Sequence, residues 1–74
     1  MREYHVEIGA RNERGGFLRQ SDEPILAGTN DEAMLVASEI IRRRKATSPG
    51  SMAFLFDEQA RLVQAWRSGS RQQA

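Results

Sequence analysis

The alternation of apolar and polar residues changes period along this chain, and each change marks an element. Tyr4-His5-Val6-Glu7-Ile8 alternates with a period of two. That pattern predicts a half-buried strand with Tyr4, Val6 and Ile8 on one side and His5 and Glu7 on the other. The stretch from Gly9 to Gly16 is polar and closes on two glycines, which predicts a hairpin loop. Phe17-Leu18-Arg19-Gln20 opens a second strand. Ser21-Asp22-Glu23-Pro24 interrupts it as a turn or a sheet edge, because proline cannot donate to a ladder. Ile25-Leu26-Ala27 then resumes the strand.

From Thr29 to Lys45 the period becomes helical. At 100° per residue, Ala33, Met34, Val36, Ala37, Ile40 and Ile41 share one face, and Leu35 falls on the polar side. Thr29 and Glu32 have capping-box spacing. Asp31 and Glu32 match the positive end of the helix dipole, and Arg42-Arg43-Arg44-Lys45 matches the negative end. Ala46 to Ser51 reads as a loop. Met52-Ala53-Phe54-Leu55-Phe56 is apolar on both sides and reads as a central strand; Asp57 to Ala60 is a turn and Arg61 to Arg67 the last strand. Residues 1–67 thus form a single domain, and residues 68–74 read as a disordered tail.

The predicted order is ββαββ: an α+β, two-layer sandwich in which one helix covers one face of a four-stranded antiparallel sheet. The other face stays open. Because Phe54 and Phe56 oppose Ala53 and Leu55, and Leu62 and Trp66 oppose Val63 and Ala65, that open face must carry a set of apolar side chains. Phe54, Phe56, Leu62 and Trp66 are therefore the candidate partner surface.

A chain of 74 residues has little room for a deep active site beneath one helix and one sheet. It has no cysteine, so disulfides and thiolate metal sites are excluded and a cytoplasmic location is expected. No apolar run approaches the ~20 residues of a membrane span. The opening residues enter a strand pattern directly and do not read as a signal peptide. His5 and Glu7 share a strand face at a spacing two metal ligands could use, but no third ligand is evident. The acid pairs Asp22-Glu23 and Asp57-Glu58 fall in predicted turns. With one histidine and no nucleophile beside a base, the expectation is a non-enzymatic protein without catalytic residues, cofactor or metal.

Charge changes the picture in one respect. Residues 1–41 hold four Arg against eight acids, a balance of −4; residues 42–74 hold seven Arg or Lys against two acids, a balance of +5. Arg42, Arg43, Lys45, Arg67 and Arg71 are thus candidate nucleic-acid contacts, with Trp66 available for stacking. The favoured expectation is a protein-interaction or assembly module that uses the open face or an edge strand to meet another protein or a second copy, with nucleic-acid binding as the alternative.

The series Tyr4-His5-Val6, Gly15-Gly16-Phe17, Thr29-x-x-Glu32-Ala33, and Phe54-Leu55-Phe56-Asp57-Glu58-x-x-Arg61-Leu62 resembles small bacterial families known only as domains of unknown function. That resemblance covers most of residues 4–67 and implies a fold and no activity; Ala60 stands where its turn pattern has glycine. A second resemblance, carried by Gly28-x-x-Asp31-Glu32-Ala33, is to the partial ribonuclease-H-like antitoxins of bacterial toxin–antitoxin pairs. It implies toxin binding, although the proline-rich segment those antitoxins carry before the helix is missing.

Overall fold

In a computed structural model, described for residues 1–44 and 50–67, the chain folds as β1 (Arg2–Arg11), β2 (Phe17–Ala27), α1 (Asn30–Arg43), β3 (Ser51–Phe56) and β4 (Leu62–Arg67). All strand pairs are antiparallel, and the sheet order is β2-β1-β3-β4. The ββαββ order and the four-stranded sheet are as the periodicity predicts, and the apolar strand β3 is central, beside β1. The expected disordered tail and most of the expected loop after the helix lie outside the described residues.

The core is the helix-side face of the sheet. Tyr4, Val6 and Ile8 of β1, Ile25 and Ala27 of β2, and Ala53 and Leu55 of β3 are buried against Ala33, Ala37 and Ile41 of α1. Small Ala33 and Ala37 let the helix lie close on the strands. Met34 and Ile40 flank the contact, while Val36 is turned outward, so the buried stripe is narrower than the sequence pattern suggests. The buried Tyr4 hydroxyl donates to Asn30 Oδ1 at 2.7 Å, so the one polar atom of this large core side chain is satisfied at the start of the helix.

Thr29 caps the helix as expected: its Oγ1 accepts from the Glu32 N–H at 3.1 Å. The returning Glu32 carboxylate accepts from Gly28 N–H at 2.6 Å, one residue earlier than in the standard box. Arg44 is the C-cap, so the helix stops short of Lys45.

Three local features differ from the sequence reading. β1 continues through Gly9 to Arg11, and the turn narrows to Asn12–Gly16, where Asn12 Oδ1 accepts from Arg14 and Gly16 N–H. β2 is continuous through Ser21-Asp22-Glu23-Pro24, because it is an edge strand, where Pro24 need not donate to a neighbour. Finally, two bulges break the alternation. Ile8 pairs with Ser21 but Gly9 with Arg19, and Leu55 pairs with Gln64 but Phe56 with Leu62. One extra residue on a strand reverses which side the following residues take.

Candidate functional site

The face of the sheet away from α1 carries a row of rings. Phe54 and Phe56 of β3 project onto it, with ring centroids 6.4 Å apart. Phe17, at the start of edge strand β2, meets Phe54 edge to face at 5.2 Å and 81°. His5 of β1 stacks on Phe56 at 5.1 Å and 23°. The row therefore runs Phe17, Phe54, Phe56, His5 and links three strands.

Gly9 makes the first contact of the row possible. A Cβ at this position would lie 2.1 Å from the Leu18 carbonyl oxygen and 2.8 Å from Phe17 Cζ. With only hydrogen there, the Phe17 ring can lie over β1 and reach Phe54 on the far side. Glycine inside a strand commonly marks such a close approach.

Around the rings the face is mixed. Leu26 and Leu62 stand exposed at its margin, with Leu62 opposite Phe56. Glu7 and Asp22 sit side by side on β1 and β2, and Arg19 Nη1 lies 3.6 Å from the first and 3.5 Å from the second. His5 Nε2 lies 3.4 Å from Glu7. His5, Glu7 and Asp22 bring three ligand atoms within 4.8 Å of one another, so the strand register supplies the third group that the sequence did not reveal. The donor set suits a divalent cation. Arg19, however, already lies against both carboxylates, and the cluster reads as an ion network in which two acids share one guanidinium.

At one end of the face, Arg11, Gly50, Met52 and Arg67 line a shallow depression; a second, lined by Met52, Phe54, Ala65, Trp66 and Arg67, runs along β3 and β4.

The four candidate partner residues do not all come together. Phe54, Phe56 and Leu62 share the open face. Trp66 does not: it pairs with buried Ala53 and packs against the core beneath the sheet, together with Val63. The cause is the bulge at Leu55/Phe56, which places Leu62 and Trp66 on opposite sides although they are four residues apart. Phe17 and His5 are members that the sequence reading passed over. The signal for Phe17 was Gly9, a glycine in the continuation of an alternating strand.

The candidate nucleic-acid contacts are also dispersed. Arg42 and Arg43 are paired with Glu39 on the helix, Arg43 at 3.3 Å. They belong to the layer opposite the rings. Hydrogen bonds from these two arginines, Arg42 first, hold the Glu39 carboxyl below its ordinary pKa. Arg67 lies on the open face, opposite Met52. Lys45 and Arg71 lie outside the described residues. Arg44 pairs with Glu23 of β2, tying the helix end to the sheet edge.

The turn Asp57–Ala60 replaces its expected glycine by backbone effort. Ala60 adopts φ 64°, a left-handed conformation, and Asp57 Oδ1 accepts from Gln59 and Arg61 N–H at 2.9 Å each. The Arg61 hydrogen bond, chiefly, holds the Asp57 carboxyl below its ordinary pKa. Neither of these two lowered carboxyls lies in a cleft. Among the described residues no helix is long and apolar enough to cross a membrane. Comparison with protein-family models, curated proteins and solved structures finds no match to this chain.

Proposed function

We propose that this protein is a non-enzymatic, cytoplasmic interaction module that meets another protein chain through the open face of its sheet. The observation that carries the reading is the contiguous row Phe17, Phe54, Phe56 and His5 on a face that no element of the described chain covers. Aromatic rings held on strands give contact area at low entropic cost, and such residues are enriched in protein interfaces. Leu26 and Leu62 extend the apolar area at its margins. The face is favoured over an edge. β2 is blunted by Pro24 and by a bulge, and β4 is six residues long with a bulge at its start. The nucleic-acid alternative is disfavoured because Arg42 and Arg43 are paired with Glu39 on the helix, in the layer opposite the row of rings.

A photo-crosslinking amino acid placed at Phe54, and separately at Leu35 on the exposed helix surface, tests this in cells of the source organism. The reading expects a discrete protein adduct from position 54 and none from position 35. Adducts from position 35 alone, or from neither, contradict it.

A further inference from the structure

We infer that the occupant of the open face is a second copy of this chain, packed face to face about a two-fold axis that lies in the interface and crosses the strands at Phe54. This inference rests on the open face being the working surface and adds the identity of what covers it.

The ground is a charge polarity along the strands. The face-directed residues of β1 are, in order, Glu3, His5, Glu7, Gly9 and Arg11, alternating with Tyr4, Val6 and Ile8 on the helix side. Glu3 therefore stands at one end and Arg11 at the other. Arg67 stands at the Arg11 end, opposite Met52. The acids near the middle, Glu7 and Asp22, share Arg19 between them. Glu3, Arg11 and Arg67, in contrast, have no ion-pair partner among the described residues. Among the described residues the face thus offers an unpaired acid at one end and two unpaired arginines at the other, with the rings and the Glu7–Arg19–Asp22 cluster between.

A surface of this kind complements itself in one orientation. A two-fold interface brings the same patch against itself, so residue i meets j and j meets i. An axis along the strands would stack the arginine ends on each other. An axis across the strands exchanges the ends and keeps each strand over its own counterpart. Arg11 then lies over Glu3 of the second copy, and Glu3 over its Arg11. The pairing of Glu7 with Phe54 and of Gly9 with Met52 fixes the rest. Phe54 meets its own equivalent at the axis, and Phe56 meets Met52 of the second copy. Glu7 approaches its equivalent as well, and so does Asp22, its register partner, with one Arg19 beside each pair of acids. Opposite charges at the ends fix the orientation, and the rings supply the buried area.

Size sets the strength. Four strands at ~4.8 Å spacing, with a usable length of roughly 20–30 Å, give a projected face of roughly 400–600 Å². A standard interface buries about 800 Å² per partner. The dimer is therefore reversible and dissociates on dilution.

Sedimentation velocity on the purified full chain, from micromolar to millimolar concentration, tests this. The wild type is expected to pass from monomer to dimer and no further. Arg11→Glu and Glu3→Arg, made separately, are each expected to weaken dimerisation by about tenfold or more. An equimolar mixture of the two variants is expected to dimerise again, because each altered end then meets its complement; recovery on mixing also shows both variants to be folded. Leu35→Asp, on the helix surface, should dimerise like the wild type. A wild type that stays monomeric at millimolar concentration overturns the inference. So does a mixture that does not recover, or a dimer abolished by Leu35→Asp. A monomer whose position 54 still crosslinks to a different protein in cells would leave the interaction reading standing and remove the second copy. A monomer that instead shifts on adding single-stranded RNA at physiological salt would overturn both.

Discussion

The two faces of this sheet are built from the same strands and treat apolar residues differently. On the helix side the side chains are Val6, Ile8, Leu55, Ile25 and small alanines, with Tyr4 hydrogen-bonded to Asn30, and all are buried by the chain itself. On the other side Phe17 meets Phe54 edge to face, Phe54 neighbours Phe56 and His5 stacks on Phe56, yet all four rings stay partly open to solvent. The first face is finished: close aliphatic packing that a helix completes. The second is a row of large rings flanked by exposed Leu26 and Leu62, with charged groups between and beyond them. Leaving such area in water forgoes roughly 25 cal/mol per Å² that burial would return. The difference teaches where the chain's own packing ends: one face is covered by the helix, and the other is left without cover among the described residues.

The comparison breaks most easily at the finished face. Leu55 is fully buried, so Leu55→Ala should cost ~2–5 kcal/mol in urea unfolding of the monomer. Phe54→Ala, one residue away on the open side, should cost the dilute monomer clearly less and weaken association more. Equal losses in monomer stability would erase the distinction between the faces.

Gly9 joins the two hairpin strands to the ring row. Gly9→Ala forces a methyl group against the Leu18 carbonyl and the Phe17 ring, and overpacking of this kind costs ~1–3 kcal/mol. It should also detach Phe17 from Phe54, seen as the loss of ring-current shifts on the Phe54 side chain. A variant as stable as the wild type, with those shifts intact, would mean that Phe17 reaches Phe54 by another path.

How much of this could be read from the residues follows from the same positions. Tyr4, Val6 and Ile8 alternate without interruption, and Ala33, Ala37 and Ile41 fall at helical spacing, so the layers, the helix and its cap were legible. The pairing of faces across the sheet was not. Alternation is a local signal, and a bulge resets it without leaving a mark in composition. Val63 looks like any strand valine, yet as the extra residue between Gln64 and Leu62 it moves Trp66 beneath the sheet. Likewise Asp22 reads as a turn acid until the register sets it beside Glu7. Pro24 reads as a strand break until β2 proves to be an edge, where proline costs little.

Smaller effects sharpen the account away from the faces. Thr29→Ala should lower stability by ~1 kcal/mol through loss of the Glu32 N–H bond, measured as a shift in urea midpoint. In the β3–β4 turn, Ala60→Gly should gain ~1 kcal/mol, since the left-handed backbone at φ 64° disfavours a side chain. Asp57 has a folded pKa held below its ordinary value of 3.8, so its contribution is full above that value and is lost as the pH falls through the lower, folded one. Asp57→Asn should therefore flatten the loss of stability on acidification in that range, as read by urea titrations at successive pH values; an unchanged slope would remove the turn carboxylate from the account.

The most direct test of the open face is a dilution series of ¹⁵N-labelled protein followed by amide chemical shifts. The account predicts concentration-dependent shifts gathered on Glu3, His5, Glu7, Arg11, Phe54 and Phe56, with Leu35, Ser38 and Glu39 on the outer helix surface unmoved. Shifts confined to the helix surface, or spectra identical from micromolar to millimolar concentration, would contradict it.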